Sequence, residues 1–109
     1  MIEKYNKLMR DKIPELIRQK GDLPITETLN DEKRYLKAVH RKLSEEIDEY
    51  HMEHNVDEFA DVLEVIYTLA KYYGKTPEYL EQLRLEKHRE RGGFDNKTFL
   101  VEVKRVNDD

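Results

Sequence analysis

The chain of 109 residues has no cysteine and no tryptophan, only four glycines and three prolines, and no apolar run near the roughly 20 residues that span a bilayer. Each absence excludes something. Without cysteine there are no disulfides and no thiolate metal site. Sparse Gly and Pro leave long stretches in which helices can run unbroken. Nothing at the N-terminus resembles a signal peptide, so the expected location is cytoplasmic, with no membrane partner. One further absence is local. Between Leu43 and Ala70 there is no Lys or Arg, yet this stretch holds nine carboxylates: Glu45, Glu46, Asp48, Glu49, Glu53, Asp57, Glu58, Asp61 and Glu64. All twenty basic residues of the chain lie outside it. A hard divalent cation is the simplest partner for so concentrated an acidity.

Composition sets the remaining bounds. The length fits one domain, residues 1–109. A hydrophobic content of 38% is low for a monomer that must bury a core alone, so a homo-oligomer is expected, most simply a dimer. The charged fraction of 40% is of mixed sign and interleaved with regular apolar positions, which indicates folded helices rather than disorder. A net charge of -4 argues against a stable nucleic-acid partner.

Gly, Pro and capping residues divide the chain. Arg10 to Gln19 reads as a short helix with Pro14 in its first turn, Asp11 as cap and Gly21 closing it. Asp22 to Leu29, around Pro24, reads as extended or loop. Asn30 or Asp31 then caps a long helix to about His54, in which Leu36, Val39, Leu43, Ile47 and Tyr50 recur every three or four residues. Asn55 can cap the next helix, which carries Phe59, Val62, Leu63, Ile66, Leu69, Ala70 and Tyr73 before Gly74 ends it. A link of about three residues makes these two helices antiparallel neighbours. Thr76-Pro77 opens a fourth helix, with Leu80, Leu83 and Leu85 on its apolar side and Gly92-Gly93 as its stop. Phe99, Val101 and Val103 alternate with Leu100, Glu102 and Lys104 as in a short strand or arm, and the final Asn-Asp-Asp reads as frayed. The expected fold is all-α: about four helices around an antiparallel hairpin, with minor extended segments near Pro24 and Phe99.

Helical spacing puts Glu45, Glu46 and Glu49 on one side of the long helix, and Glu58 and Asp61 on one side of its partner. Folded side by side, the two groups can converge into a cage of carboxylates. Without a cation, that cage suffers like-charge repulsion. Oxygen ligands of this kind suit Mg2+, which keeps several waters and takes further ligands from phosphates. The competing reading is a solvated acidic face. Against it stand the missing Glu-to-Lys pairs and the position of Glu46 and Asp61 at the border of the apolar stripe. Asp48-x-x-His51 faintly suggests a di-iron carboxylate bundle, but no second such motif exists, and His51 and His54 read as solvated or capping groups.

Glu45-Glu46-x-x-Glu49 followed by Glu58-x-x-Asp61 resembles the EExxE and ExxD signature of the all-α nucleoside triphosphate pyrophosphohydrolases, the superfamily of MazG, dimeric dUTPases and phosphoribosyl-ATP pyrophosphohydrolase. Tyr5-Asn6-Lys7-Leu8-Met9-Arg10-Asp11-Lys12-Ile13-Pro14 looks like the N-terminal motif of a small MazG-like, phosphoribosyl-ATP pyrophosphohydrolase-like branch. Arg89-Glu90-Arg91-Gly92-Gly93-Phe94 looks like its C-terminal block. The three blocks span nearly the whole chain in the expected order. The eight residues between Glu49 and Glu58 form a shorter interval than in many MazG proteins.

The resemblance implies a Mg2+-dependent hydrolase, with Mn2+ a possible substitute, that cleaves the α–β phosphoanhydride of a nucleotide to a monophosphate and pyrophosphate. Nucleotide-pool house-cleaning is the implied role. By matching position Glu46, Glu49, Glu58 and Asp61 would be metal ligands, and Glu45 or Glu49 would serve as base. Phosphates need basic donors, for which Lys7, Arg10, Lys12, Lys87 and Arg91 are the candidates. One of Tyr67, Tyr72 or Tyr73 could stack on a base. The alternative is a non-catalytic helical module that binds nucleotide or a basic partner without turnover.

Overall fold

The computed structural model describes residues 1–106; the expected fraying of the last three residues lies outside them. The described residues form four helices and no strand, α1 (Ile13–Gln19), α2 (Glu32–Glu53), α3 (Asp57–Tyr72) and α4 (Pro77–Arg91). The chain is thus all-α, as its periodicity implies. It divides into two compact units, Met1–Thr76 and Pro77–Asp109.

The first unit is built on the hairpin of α2 and α3. Asp31 caps α2 by accepting from the backbone N–H of Lys33 at 2.9 Å and of Arg34 at 3.1 Å, which satisfies two donors that the first turn leaves open. His54 ends α2 in a left-handed conformation (φ 51°) and donates its N–H to the Tyr50 carbonyl. The Asn55 side chain then accepts from Asp57 N–H at 3.0 Å and starts α3. This turn places the ends of α2 and α3 side by side. Gly74, at φ +74°, closes α3, with Lys75 N–H returning to the Ala70 carbonyl at 2.8 Å.

One expectation fails locally, and one alternative is settled. Asp11 does not cap α1: Lys12 occupies the boundary with no side-chain cap. The reason lies in the backbone, because Ile13 N–H already bonds the Arg10 carbonyl at 3.0 Å and Pro14 has no N–H to satisfy. No strand forms around Phe99, whose neighbours are exposed and without regular structure. A lone alternating segment has no ladder partner for its backbone groups, and alternation alone does not make a strand.

The core is small. Val39 (1% exposed), on α2, and Val65, on α3, are the buried apolar residues among those described. Much of the remaining apolar stripe is open, with Phe59 51% and Leu63 43% exposed. On α4, Leu80 is half-buried while Leu83 and Leu85 are exposed. No helix among the described residues is long and apolar enough to cross a membrane.

Candidate metal centre

The acidic segment folds as its spacing implies. Glu45, Glu46 and Glu49 of α2 form one group, and Glu46 with Glu58 and Asp61 of α3 forms a second. Within each group the ligand oxygens lie within 4.8 Å of one another, and Glu46 belongs to both. The five carboxylates singled out from the sequence therefore form two adjoining clusters on the hairpin, joined at Glu46. The other four acids of the segment, Asp48, Glu53, Asp57 and Glu64, are exposed. No histidine joins either group among the described residues; His51 and His54 are exposed beside the Tyr50 ring.

The charges are not uncompensated, and here the expectation needs correction. Lys42 lies one residue before the acidic run and pairs with Glu45 at 3.5 Å and Glu46 at 3.2 Å, as helical spacings of three and four allow. Lys7 donates to Glu45 Oε1 at 2.7 Å, and Arg10 Nη2 donates to Asp61 Oδ1 at 2.7 Å. The segment before α1 thus reaches both helices, with Leu8 and Met9 half-buried between the two cations. Glu49 and Glu58 have no ion pair among the described residues. Glu58 Oε2 is enclosed and has no hydrogen-bond partner, although a buried carboxylate oxygen ordinarily has one.

The protonation equilibria follow this arrangement. Burial, then the nearby charges of Glu49 and Asp61, push the Glu46 carboxyl above its ordinary value in spite of Lys42. Burial likewise raises Glu58, helped by the charges of Glu49, Asp61 and Glu46. Burial would also raise Glu45, but the Lys7 hydrogen bond and the Lys42 charge outweigh it and hold that carboxyl low. The Lys7 ammonium is raised in turn, chiefly by its hydrogen bond to Glu45. The pocket gathers more negative charge than its own cations relieve.

Of the five basic residues expected to meet phosphate, the structure brings Lys7 and Arg10 to the carboxylates. Lys12 is exposed at the start of α1 and forms no ion pair among the described residues. Lys87 and Arg91 lie on α4, in the second unit. There Arg91 lines an open cavity of about 390 Å³ with His88, Gly92, Gly93, Phe94 and Lys97. Lys42 is the site residue that sequence reasoning passed over; its spacing from Glu45 and Glu46 was the available signal.

On the same hairpin Ile47, Tyr50, Phe59, Val62, Leu63 and Ile66 line an apolar groove of about 370 Å³. Tyr50 and Phe59 stack across it with ring centroids 4.8 Å apart. Tyr72 and Tyr73 pack edge to face on each other at 5.1 Å.

Fold and site together define an all-helical chain with a carboxylate centre able to hold a cation. Comparisons with protein-family models, curated proteins and solved structures each found no match for the chain.

Proposed function

We propose that the chain is a Mg2+-dependent nucleotide pyrophosphohydrolase that cleaves a nucleoside triphosphate or related nucleotide between its α and β phosphates. The observation that carries this reading is the convergence of Glu45, Glu46, Glu49, Glu58 and Asp61, with Glu58 Oε2 enclosed and unpartnered. The donor set fits the ion: all oxygen, all carboxylate, with two members lacking any cation of their own. Glu46, Glu49, Glu58 and Asp61 would hold it. When bound, Mg2+, or Mn2+ in its place, would acidify water and neutralise charge on the phosphate oxygens.

The chain's own groups divide the remaining work. Lys7 and Arg10 stand beside the carboxylates and supply donors for phosphate oxygens, Arg10 through a planar fork that matches them. Of the two candidate bases, Glu45 is held ionised by Lys7 and Lys42, which weakens it as a proton acceptor. Glu49, which has no such ion pair, is the other candidate for the proton of the attacking water. Lys87 and Arg91 belong to the second unit, and this account of the site stands on the first alone.

A homodimer is part of the proposal. Apolar side chains left open on the hairpin, Phe59 and Leu63 foremost, supply the centre of an interface that a second hairpin would cover. Stable interfaces bury on the order of 1,200–2,000 Å² in total.

A non-catalytic nucleotide-binding module is the second reading, favoured by the ion pairs that already relieve three of the five acids. Product analysis separates the two. Incubation with Mg2+ and a panel of canonical, deoxy, oxidised and deaminated triphosphates should release pyrophosphate and a monophosphate from at least one, with release lowered at least about 10²-fold by Glu49→Gln. Orthophosphate as product, or binding without turnover across the panel, would overturn the enzymatic reading.

A further inference from the structure

Asp61 has two claims on it. It lies within 4.8 Å of Glu46 and Glu58 as a potential ligand, and its Oδ1 accepts from Arg10 at 2.7 Å. Glu45 is shared in the same way between the acidic group and Lys7. These cations come from one short stretch, three residues apart, and attach to acids 38 and 51 residues further along the chain. The two attachments differ in kind from the Lys42 pairs, which are local to α2. They are also partly solvated, the Arg10 and Asp61 side chains being 53% and 38% exposed. Exposed pairs of this type are weak and readily exchanged.

We propose that Lys7 and Arg10 are exchangeable counter-cations of the acidic centre: they occupy Glu45 and Asp61 while no metal is bound, and metal binding frees them to receive phosphate. The inference rests on the metal reading of the site. Its physical basis is competition. A dication held by Asp61 would repel the Arg10 guanidinium and draw on the same carboxylate, so the ion pair is weakened and more readily exchanged. Leu8 and Met9, half-buried against the unit, keep the segment at hand while the charged ends move. Arg10 and Lys7 are then positioning residues that couple the two ligands, since each of metal and phosphate assists the other's binding by the same factor.

The test uses the full chain, with Mg2+ alone as probe, in two measurements. Titration calorimetry should give Arg10→Gln an affinity for Mg2+ about two- to fivefold tighter than the unmodified protein, the range that exposed ion pairs reach. Arg10→Lys should stay near the unmodified value. Arg18→Gln, which removes an equal charge from the Glu15 pair on α1, should change nothing. In the unmodified protein the Nε–Hε resonance of Arg10 should shift with the same midpoint as Mg2+ binding, a readout that needs no variant to fold. Mg2+ binding with equal affinities for Arg10→Gln and Arg18→Gln, or with the Arg10 resonance unmoved, would overturn the exchange and leave the metal site standing. No Mg2+ binding by the unmodified protein would overturn both.

Discussion

On one surface of the α2–α3 hairpin, Glu45, Glu46 and Asp61 meet Lys7, Lys42 and Arg10; on another, Phe59 and Leu63 of the apolar groove stay about half exposed. The same two helices carry both surfaces, yet only the acidic one draws partners from its own unit. Charge can be met by single long side chains reaching across a surface, whereas an apolar stripe needs a complementary surface of similar extent. The first unit has cations to lend but no further helix that packs on the hairpin. The acidic surface is therefore nearly a finished site, lacking a cation at Glu49 and Glu58, and the apolar surface is half of an interface.

Breaking the acidic side should have the largest effect. Glu49→Gln should lower turnover by about 10²- to 10³-fold, the range seen when one preorganised charge-stabilising group is lost, in a steady-state assay at saturating Mg2+. It should also raise the melting temperature of the metal-free protein, because it removes an unmatched charge, while abolishing the further rise on adding Mg2+. Breaking the apolar side comes next. Phe59→Asp should weaken self-association at least about thirtyfold by analytical ultracentrifugation, corresponding to about 2 kcal/mol for a central aromatic anchor. An unchanged dimer, or a monomer to begin with, would show that the groove serves another purpose.

A smaller effect is expected at the one buried acid. Lys42→Met strips Glu46 of its cation and should cost about 1–2 kcal/mol in urea denaturation without metal, most of it recovered with Mg2+. The smallest is a pH dependence. Glu46 and Glu58 have folded values raised above 4.5, so between 4.5 and those raised values the folded protein binds more protons than the unfolded chain. Stability of the metal-free protein should be fullest below pH 4.5 as regards these two groups, and fall as pH rises through that window. The low value of Glu45 acts oppositely but below pH 4.5, where its contribution is lost as pH falls. Melting curves from pH 4.5 to 7 should therefore decline without Mg2+ and flatten with it.

Much of this was legible in the sequence because it is local. Leu36, Val39, Leu43, Ile47 and Tyr50 mark the apolar stripe of α2 by their spacing, and Asp31, Asn55 and Gly74 punctuate the hairpin as their side chains and backbone freedom require. The five carboxylates follow from the same periodicity plus a three-residue turn. What could not be read were contacts set by docking. Nothing in the spacing of Lys7 and Arg10 says that they land on Glu45 and Asp61, since no helical period connects residues so far apart. Lys42 escaped for a different reason: it closes the basic stretch before the acidic run, and reading the run by itself cut it off from its own turn of helix. The alternation at Phe99, Val101 and Val103 left strand and extended arm both open; a strand is a property of a sheet, and no partner strand exists among the described residues.

The central claim is that the carboxylate centre directs water to the α-phosphorus of a nucleoside triphosphate. Turnover in ¹⁸O-labelled water with Mg2+ tests it most directly, the products being separated and weighed by mass spectrometry. The account predicts one labelled oxygen in the monophosphate and none in the pyrophosphate. Label in the pyrophosphate, release of orthophosphate, or no turnover with any triphosphate would contradict it.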